Sequence, residues 1–502
     1  MKRPILIGIV LALLLLSACD VRLISTTDLN VPTILAATNT SNPVTPSPSP
    51  TTSTHNAPTA TSTLEESAFQ RPIYKIVGTL DDQNHQFNGS VEITYPNYAS
   101  KPLNELVLAV DPNREEGVFH LDAILIEDTP IDLQKIKLEK HKLTIPLDFP
   151  LASRQQIRVT IQYQLSIPEI PAPSEDTKPT LFGYTTLQTN LVDWYPFIVP
   201  YDGETGWVLH DPWYYGEYLV YDVSDFYIDL EIINAPANII VAASAESQIS
   251  GSHYIYAHLN ARNFALSISP SYVTHESIVD QVTIHTYTFP FNENASEMVM
   301  LNAISAIQTY SAIFGPFPRK SLSIVEADFL DGMEYDGFFF LSKGFYNLYD
   351  GTPKGYLTAI TVHETAHQWW YASVANDQAI VPWLDESLCT YSELLYYEKS
   401  YPELVDWWWS YRVHFYQPTG WINLPVDQYG GFTPYRDAVY LRGAQFLEQI
   451  RVTIGDDAFF AFLNDYSNTL KNKIATEKDF FAILSRHTDQ NLDNIISAYF
   501  QN

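Results

Sequence analysis

Cysteine is nearly absent: only Cys19 and Cys389 occur in 502 residues. Two thiols close one bridge at most, so a disulfide framework is not what holds this chain together. Positive charge is scarce too. Twenty-eight Lys and Arg stand against 58 Asp and Glu, for a formal net charge of −30. No Lys/Arg cluster stands out, which argues against nucleic acid as a partner. The excess of acid reads as a solubility device. The apolar run at the N-terminus, Ile5 to Leu16, is 12 residues long, too short to span a bilayer comfortably. No internal repeat is present. What remains is 46% hydrophobic and 14% aromatic, in a chain long enough for two or three domains with sizeable cores.

The short apolar run follows Lys2 and Arg3 and ends in L-S-A-C, Leu16 to Cys19. This is a secretory signal's layout, expected over residues 1–18. Its end resembles a bacterial lipobox, in which the cysteine is lipidated and becomes the first mature residue. The expectation is a protein held by a lipid on Cys19 at the outer face of a bacterial membrane. Cys389 then has no partner and reads as a small buried residue. Residues 19–68 are rich in Ser, Thr and Pro and poor in large apolar groups. Such a stretch cannot bury enough surface to fold and reads as a flexible tether spanning about 40 Å.

Beyond it, short alternating runs such as I-Y-K-I-V-G-T-L and Q-I-R-V-T-I-Q-Y-Q-L predict an antiparallel β domain over 69–275. The period then lengthens. Helices are expected near 296–313, 355–375, 384–399, 438–452 and 457–469, within an α-rich domain over 276–502. The fold class is α+β and multidomain.

Within the second predicted helix stands H-E-T-A-H, residues 363–367. Histidines four apart share a helix face and can reach one ion. Glu364 lies about 100° round the helix, beside the metal rather than on it. A carboxylate so placed can take a proton from water on a metal. A third ligand is still needed. Pro382 suits a helix start, and Asp385 and Glu386 fall in its first turn, with Glu386 19 residues after His367.

H-E-T-A-H, the 18-residue gap and W-L-D-E-S resemble the gluzincins, and within them peptidase family M1, the aminopeptidase N and leukotriene hydrolase group. Three further stretches are similar to family motifs: F-G-P-F-P at 314–318, D-G-M-E-Y at 331–335, and V-Y-L-R-G-A at 439–444. The resemblance runs over about residues 70 to 500. It implies an N-terminal β saddle followed by a thermolysin-like catalytic domain, in a short form without the C-terminal helical domain and with a more open cleft. One Zn²⁺ per chain would be held by His363, His367 and Glu386. Glu364 would be the general base, Tyr440 a hydrogen-bond donor to the oxyanion, and Glu334 the partner of the substrate's α-ammonium group. The implied activity is an aminopeptidase acting on peptides with a free N-terminus.

The chain departs from the family pattern at Asp331 and Tyr335, which stand where the exopeptidase motif has Gly and Asn. W-Y-P-F-I at 194–198 replaces an aromatic-rich P-C-x-D-E-P stretch, and Gln188 lies where a substrate-binding glutamine would fall. These departures keep a thermolysin-like endopeptidase open as the alternative. An inactive surface binding lipoprotein is a more distant one. Trp407, Trp408 and Trp409 read as packing residues of the catalytic domain.

Overall fold

The computed structural model describes residues 71–171, 181–329 and 332–501. The signal at 1–18, Cys19, the tether at 19–68 and Asp331 lie outside the described residues. Residues Glu66–Asn502 form one compact unit.

The alternating runs become strands for the expected reason. In Gln156–Ser166, Ile157, Val159, Ile161, Tyr163 and Leu165 are buried while Arg158 and Thr160 between them are half-buried and Gln162 and Gln164 exposed, so one face of a pleated strand meets the core. Strands β1 (Ile73–Asp81), β2 (Gln86–Pro96), β3 (Phe119–Ile126), β4 (Thr129–Pro130), β5 (Gln156–Ser166), β6 (Ser224–Ile233), β7 (Ser247–Ser250) and β8 (His253–Ala261) form an eight-stranded sheet. Its order is β7-β8-β6-β1-β2-β5-β3-β4. Every neighbouring pair is antiparallel except β1 with β6.

A five-stranded sheet follows: β9 (Val273–Val279), β10 (Val282–Thr288), β11 (Ser321–Ala327), β12 (Met333–Tyr335) and β13 (Phe338–Ser342), in the order β9-β10-β11-β13-β12. The strand that crosses residues 275–276 therefore pairs inside this second sheet. Helix α1 (Glu293–Phe314) lies against β10 and against α2 (Tyr356–Ala366). Helices α3 (Trp383–Ser400), α4 (Gly443–Ile454) and α5 (Asp456–Thr469) complete the core around the site. The architecture is the α+β arrangement expected, a β-rich part followed by a helical one.

The helix expected at 355–375 is shorter. It stops at Ala366, and the chain folds back through residues 367–374. Ala372 N–H donates to His367 O at 2.9 Å, and Tyr371 takes φ 141°, outside helical space. No Gly or Pro marks this stop in the sequence. It is made by tertiary contacts, with Trp369 and Trp370 buried in the helical core. The segment expected at 438–452 also starts differently. A π-helical turn, Arg436–Arg442, precedes α4.

Candidate metal centre

Helix α2 presents His363, the residue that caps it, His367, follows one turn on, and α3 presents Glu386 from its first turn. One donor atom from each of the three lies within 4.8 Å of the others. His363 Nε2 is 3.1 Å and His367 Nε2 3.6 Å from the same Glu386 oxygen. Both rings are oriented from behind. His363 Nδ1 donates to Glu393 Oε1 at 3.0 Å and His367 Nδ1 to Trp370 O at 3.1 Å. With the ring protons committed there, each Nε2 turns a lone pair toward a carboxylate oxygen. Lone pairs converging on one buried point repel unless a cation lies between them. Two imidazoles and one carboxylate, with room for a further ligand, form a zinc-type donor set, and the residues fit that ion.

Burial and His363 hold the His367 imidazole down to about 3, in its ligating neutral form. Burial, followed by the nearby Glu217 and Glu334, pushes the Glu386 carboxyl well up. Asp385 is raised in the same way, by burial and then by Glu386 and Glu334. Crowded buried carboxylates are a setting that a divalent ion relieves.

Glu364 is 7% exposed and contributes to a second group with Glu334 and His367, again within 4.8 Å. The backbone at Gly332 lies against it. A β-carbon there would stand 3.5 Å from Glu364 Oε1 and 3.3 Å from Phe340 O. Glu334, on β12, is buried and accepts from Gln378 Nε2 at 3.0 Å, and the same amide donates to Asp385 at 2.7 Å. Its neighbour Tyr335 is buried against Phe338 and Phe340. Tyr440, in the π-helical turn, donates to the second Glu386 oxygen at 2.5 Å. Burial and Glu386 hold its phenol well above its ordinary value, so it stays a donor. All six residues border one cavity of about 570 Å³.

The structure therefore brings His363, Glu364, His367, Glu386, Glu334 and Tyr440 together. Gln188 does not join them. It is buried elsewhere, bonded to Asn190, Ser267 and Tyr272, and it accepts from the Asp328 backbone.

Sequence reasoning missed the support behind His363. Glu393 is held by Arg412 through two contacts of 2.9 Å and by Trp408 Nε1 at 3.0 Å. The signal available was spacing: Glu393 lies seven residues after Glu386, on the same helix face. Trp408 is fully buried, so the middle tryptophan of the run packs as expected and also fixes a carboxylate.

Residues 300–499 match the profile of the peptidase family M1 domain. The chain carries an M1 domain. The matched span contains the metal-type donors, Glu364, Glu334 and Tyr440. Aminopeptidase M1-D of rice (Oryza sativa subsp. japonica) is 22% identical over 237 residues, 43% of this chain. The match spans about a quarter of that relative's length, 26%. An M1 zinc metallopeptidase from Deinococcus radiodurans superposes on the M1 domain and the β-rich part with a TM-score of 0.60. Identity is 16%, over 86% of this chain and 94% of that one. A mutant from the same organism bound to a Tyr-Ser-Ala substrate gives 0.59 at 17% identity, with the same coverage. At this identity the likeness establishes a shared fold.

Proposed function

We propose that this chain is a zinc-dependent aminopeptidase that releases N-terminal residues from peptides. The observation that carries the reading is the convergence of His363, His367 and Glu386, with both Nδ1 protons committed elsewhere, in one cavity with Glu334. Zinc held by those three residues would supply a Lewis acid that acidifies water and polarises the scissile carbonyl. Glu364 takes the proton from the attacking water and passes it to the leaving amine. The Tyr440 hydroxyl turns from Glu386 to the developing oxyanion, a contact worth about 3 kcal/mol. Glu334 meets the substrate's ammonium group, so the bond presented for cleavage is the first one. Gln378 fixes the carboxylate for that contact. The Tyr-Ser-Ala peptide bound to the Deinococcus radiodurans relative is consistent with this substrate class.

We propose further that a lipid on Cys19 anchors the protein at the outer face of a bacterial membrane. L-S-A-C after a short apolar run supports this reading.

The test is digestion of a peptide library by zinc-loaded protein, read by mass spectrometry. Ladders of one-residue steps from free N-termini are expected. Internal cuts that ignore N-acetylation would replace the aminopeptidase reading with a thermolysin-like endopeptidase. His363→Ala and Glu386→Ala should each strip zinc, measured by elemental analysis. A full equivalent in both would remove the metal assignment.

A further inference from the structure

We propose that a groove on the outer face of α4, apart from the metal-type cavity, is a binding site for a neutral glycan. The proposal does not rest on the aminopeptidase reading.

Helix α4 has two faces. Gly443, Ala444, Phe446, Leu447 and Ile450 are buried. Gln445, Glu448 and Gln449 fall between them at spacings of three and four, so they share the opposite face. Two other segments meet that face. One is the π-helical turn Trp408–Val413 with His414 directly after it, and the other is the helix Asp493–Tyr499. Trp409, His414 and Tyr499 join the three α4 residues around a recess of about 400 Å³. None of these six residues borders the metal-type cavity.

The aromatic surface of the recess is set by packing. The Trp409 and His414 rings stack, 5.5 Å between centres and 20° from parallel. Trp409 also meets the buried Trp408 edge to face at 4.9 Å, which fixes its ring. Tyr499 is 5% exposed, and the Arg442 guanidinium lies 4.6 Å from its ring centre. The polar groups of the recess, by contrast, are unspent. Trp409 Nε1, the His414 ring nitrogens and the side-chain amides of Gln445 and Gln449 have no hydrogen-bond partner among the described residues. Gln445 is half-buried, where an amide without a partner is costly. Glu448 accepts from the Tyr391 hydroxyl at 2.6 Å through one oxygen and keeps the other.

These groups select among ligand classes. No Lys or Arg borders the recess, and Glu448 repels anions, so phosphates and acidic polymers do not fit. His414 and Glu448 belong to no group of three ligand-spaced donors among the described residues, so a metal ion does not fit either. A neutral pyranose does. One face of its ring is a sheet of C–H groups, which an aromatic face covers. Its equatorial hydroxyls are each donor and acceptor, and a planar amide offers both side by side. Gln445 and Gln449, one helical turn apart, present two such amides, and Trp409 Nε1 adds a donor. The volume lies at the small end of ligand sites, room for about one or two sugar units. A glycan bound there would hold the protein at a polysaccharide-bearing surface with the metal-type cavity still free for substrate.

The experiment titrates zinc-loaded full-length protein by calorimetry with triacetylchitotriose, with cellotriose, with the acidic trimer trigalacturonate, and with the blocked peptide N-acetyl-Trp-Gly-Trp-amide. At least one neutral trisaccharide should bind saturably with Kd about 1 mM or below, and trigalacturonate should not bind. Trp409→Leu should weaken the sugar by about tenfold or more. The double variant Gln445→Leu, Gln449→Leu should weaken it by about fivefold or more, and it decides the matter if Trp409→Leu does not fold. Zinc content and peptide turnover should stay within about twofold of the parent in the variants, and saturating sugar should not slow peptide turnover. Absence of binding by both neutral sugars would overturn the proposal, as would equal binding by parent and variants. Sugar that competes with peptide substrate would place it in the metal-type cavity and overturn the proposal too. Binding of the blocked peptide alone, lost in Trp409→Leu, would reassign the groove to aromatic peptides.

Discussion

His363 Nδ1 meets Glu393 Oε1 at 3.0 Å, inside the helical core and away from the cavity. Burial pushes the Glu393 carboxyl up, but Arg412 and His363 outweigh it and hold the group below its ordinary value. A charged carboxylate behind the ring fixes the tautomer and raises the basicity of Nε2. Glu393→Gln keeps the shape and removes the charge. Zinc affinity should fall about ten- to a hundredfold, measured by competition with a chromogenic chelator. Affinity within twofold of the natural protein would show that Glu393 only packs.

Glu364 stands beside the metal-type donors and outside their triad. Glu364→Gln should therefore keep a full zinc equivalent while lowering kcat by about 10³ or more. Near-normal turnover with zinc bound would exclude it as the base.

Glu334 is the group expected to tell a free amine from a blocked one. Glu334→Gln should lower kcat/KM on free-amine peptides by roughly ten- to a hundredfold. Residual cleavage of N-acetylated peptides should be unaffected. If both substrate types lose rate equally, the residue shapes the cavity rather than reading the ammonium.

Gly443 is a contact point between helices. A β-carbon there would fall 1.9 Å from Ser387 Oγ and 2.5 Å from Ser387 Cβ. Ser387 Oγ also donates to Val439 O at 2.6 Å, tying α3 to the turn that carries Tyr440. Gly443→Ala should push the helices apart, cost about 1–3 kcal/mol in urea unfolding and displace Tyr440 from Glu386. Ser387→Gly in the same chain should restore much of the stability. A single Gly443→Ala protein as stable and active as the parent would show that the contact relaxes at no cost.

Asp336 joins the β-rich part to the catalytic part. It is fully buried, forms a bidentate pair with Arg319, and accepts from Arg262 N–H at 2.8 Å. Burial opposes its charge, but Arg319 and His258 overcome that and hold the carboxyl far below its ordinary value. A depressed carboxyl stabilises the fold fully above its unfolded pKa, near 3.9, and loses that contribution as pH falls toward the folded value. Asp336→Asn should cost about 3 kcal/mol or more at pH 7, because it strands a buried guanidinium. Below pH 4 the gap between variant and parent should narrow. A gap independent of pH would mean that Asp336 acts through packing alone.

The strands of the β-rich part were legible because burial on one face imposes period two, and Gln156–Ser166 carries that period without a break. The ligand pair was legible because a helix makes residues four apart neighbours, a rule independent of the rest of the fold. The C-terminal end of α2 was not legible. Its stop at Ala366 depends on Trp369, Trp370 and Tyr371 finding sites in cores assembled from distant segments. The resemblance at Gln188 suggested a cavity residue, yet its amide is consumed by Asn190, Ser267, Tyr272 and the Asp328 backbone, partners up to 140 residues away.

By itself, then, the sequence determined the local chemistry: which residues share a helix face, which strand faces are apolar, and that His363 and His367 could reach one ion. Those are consequences of backbone geometry over a few residues. Only the tertiary structure decided what stands behind and across from them. Glu393, Arg412 and Trp408 converge behind His363, Gln378 bridges Glu334 to Asp385, and Arg436 stacks on Tyr416. These contacts join elements whose approach is set by packing of the whole core, and no spacing along the chain encodes a distance between side chains that far apart.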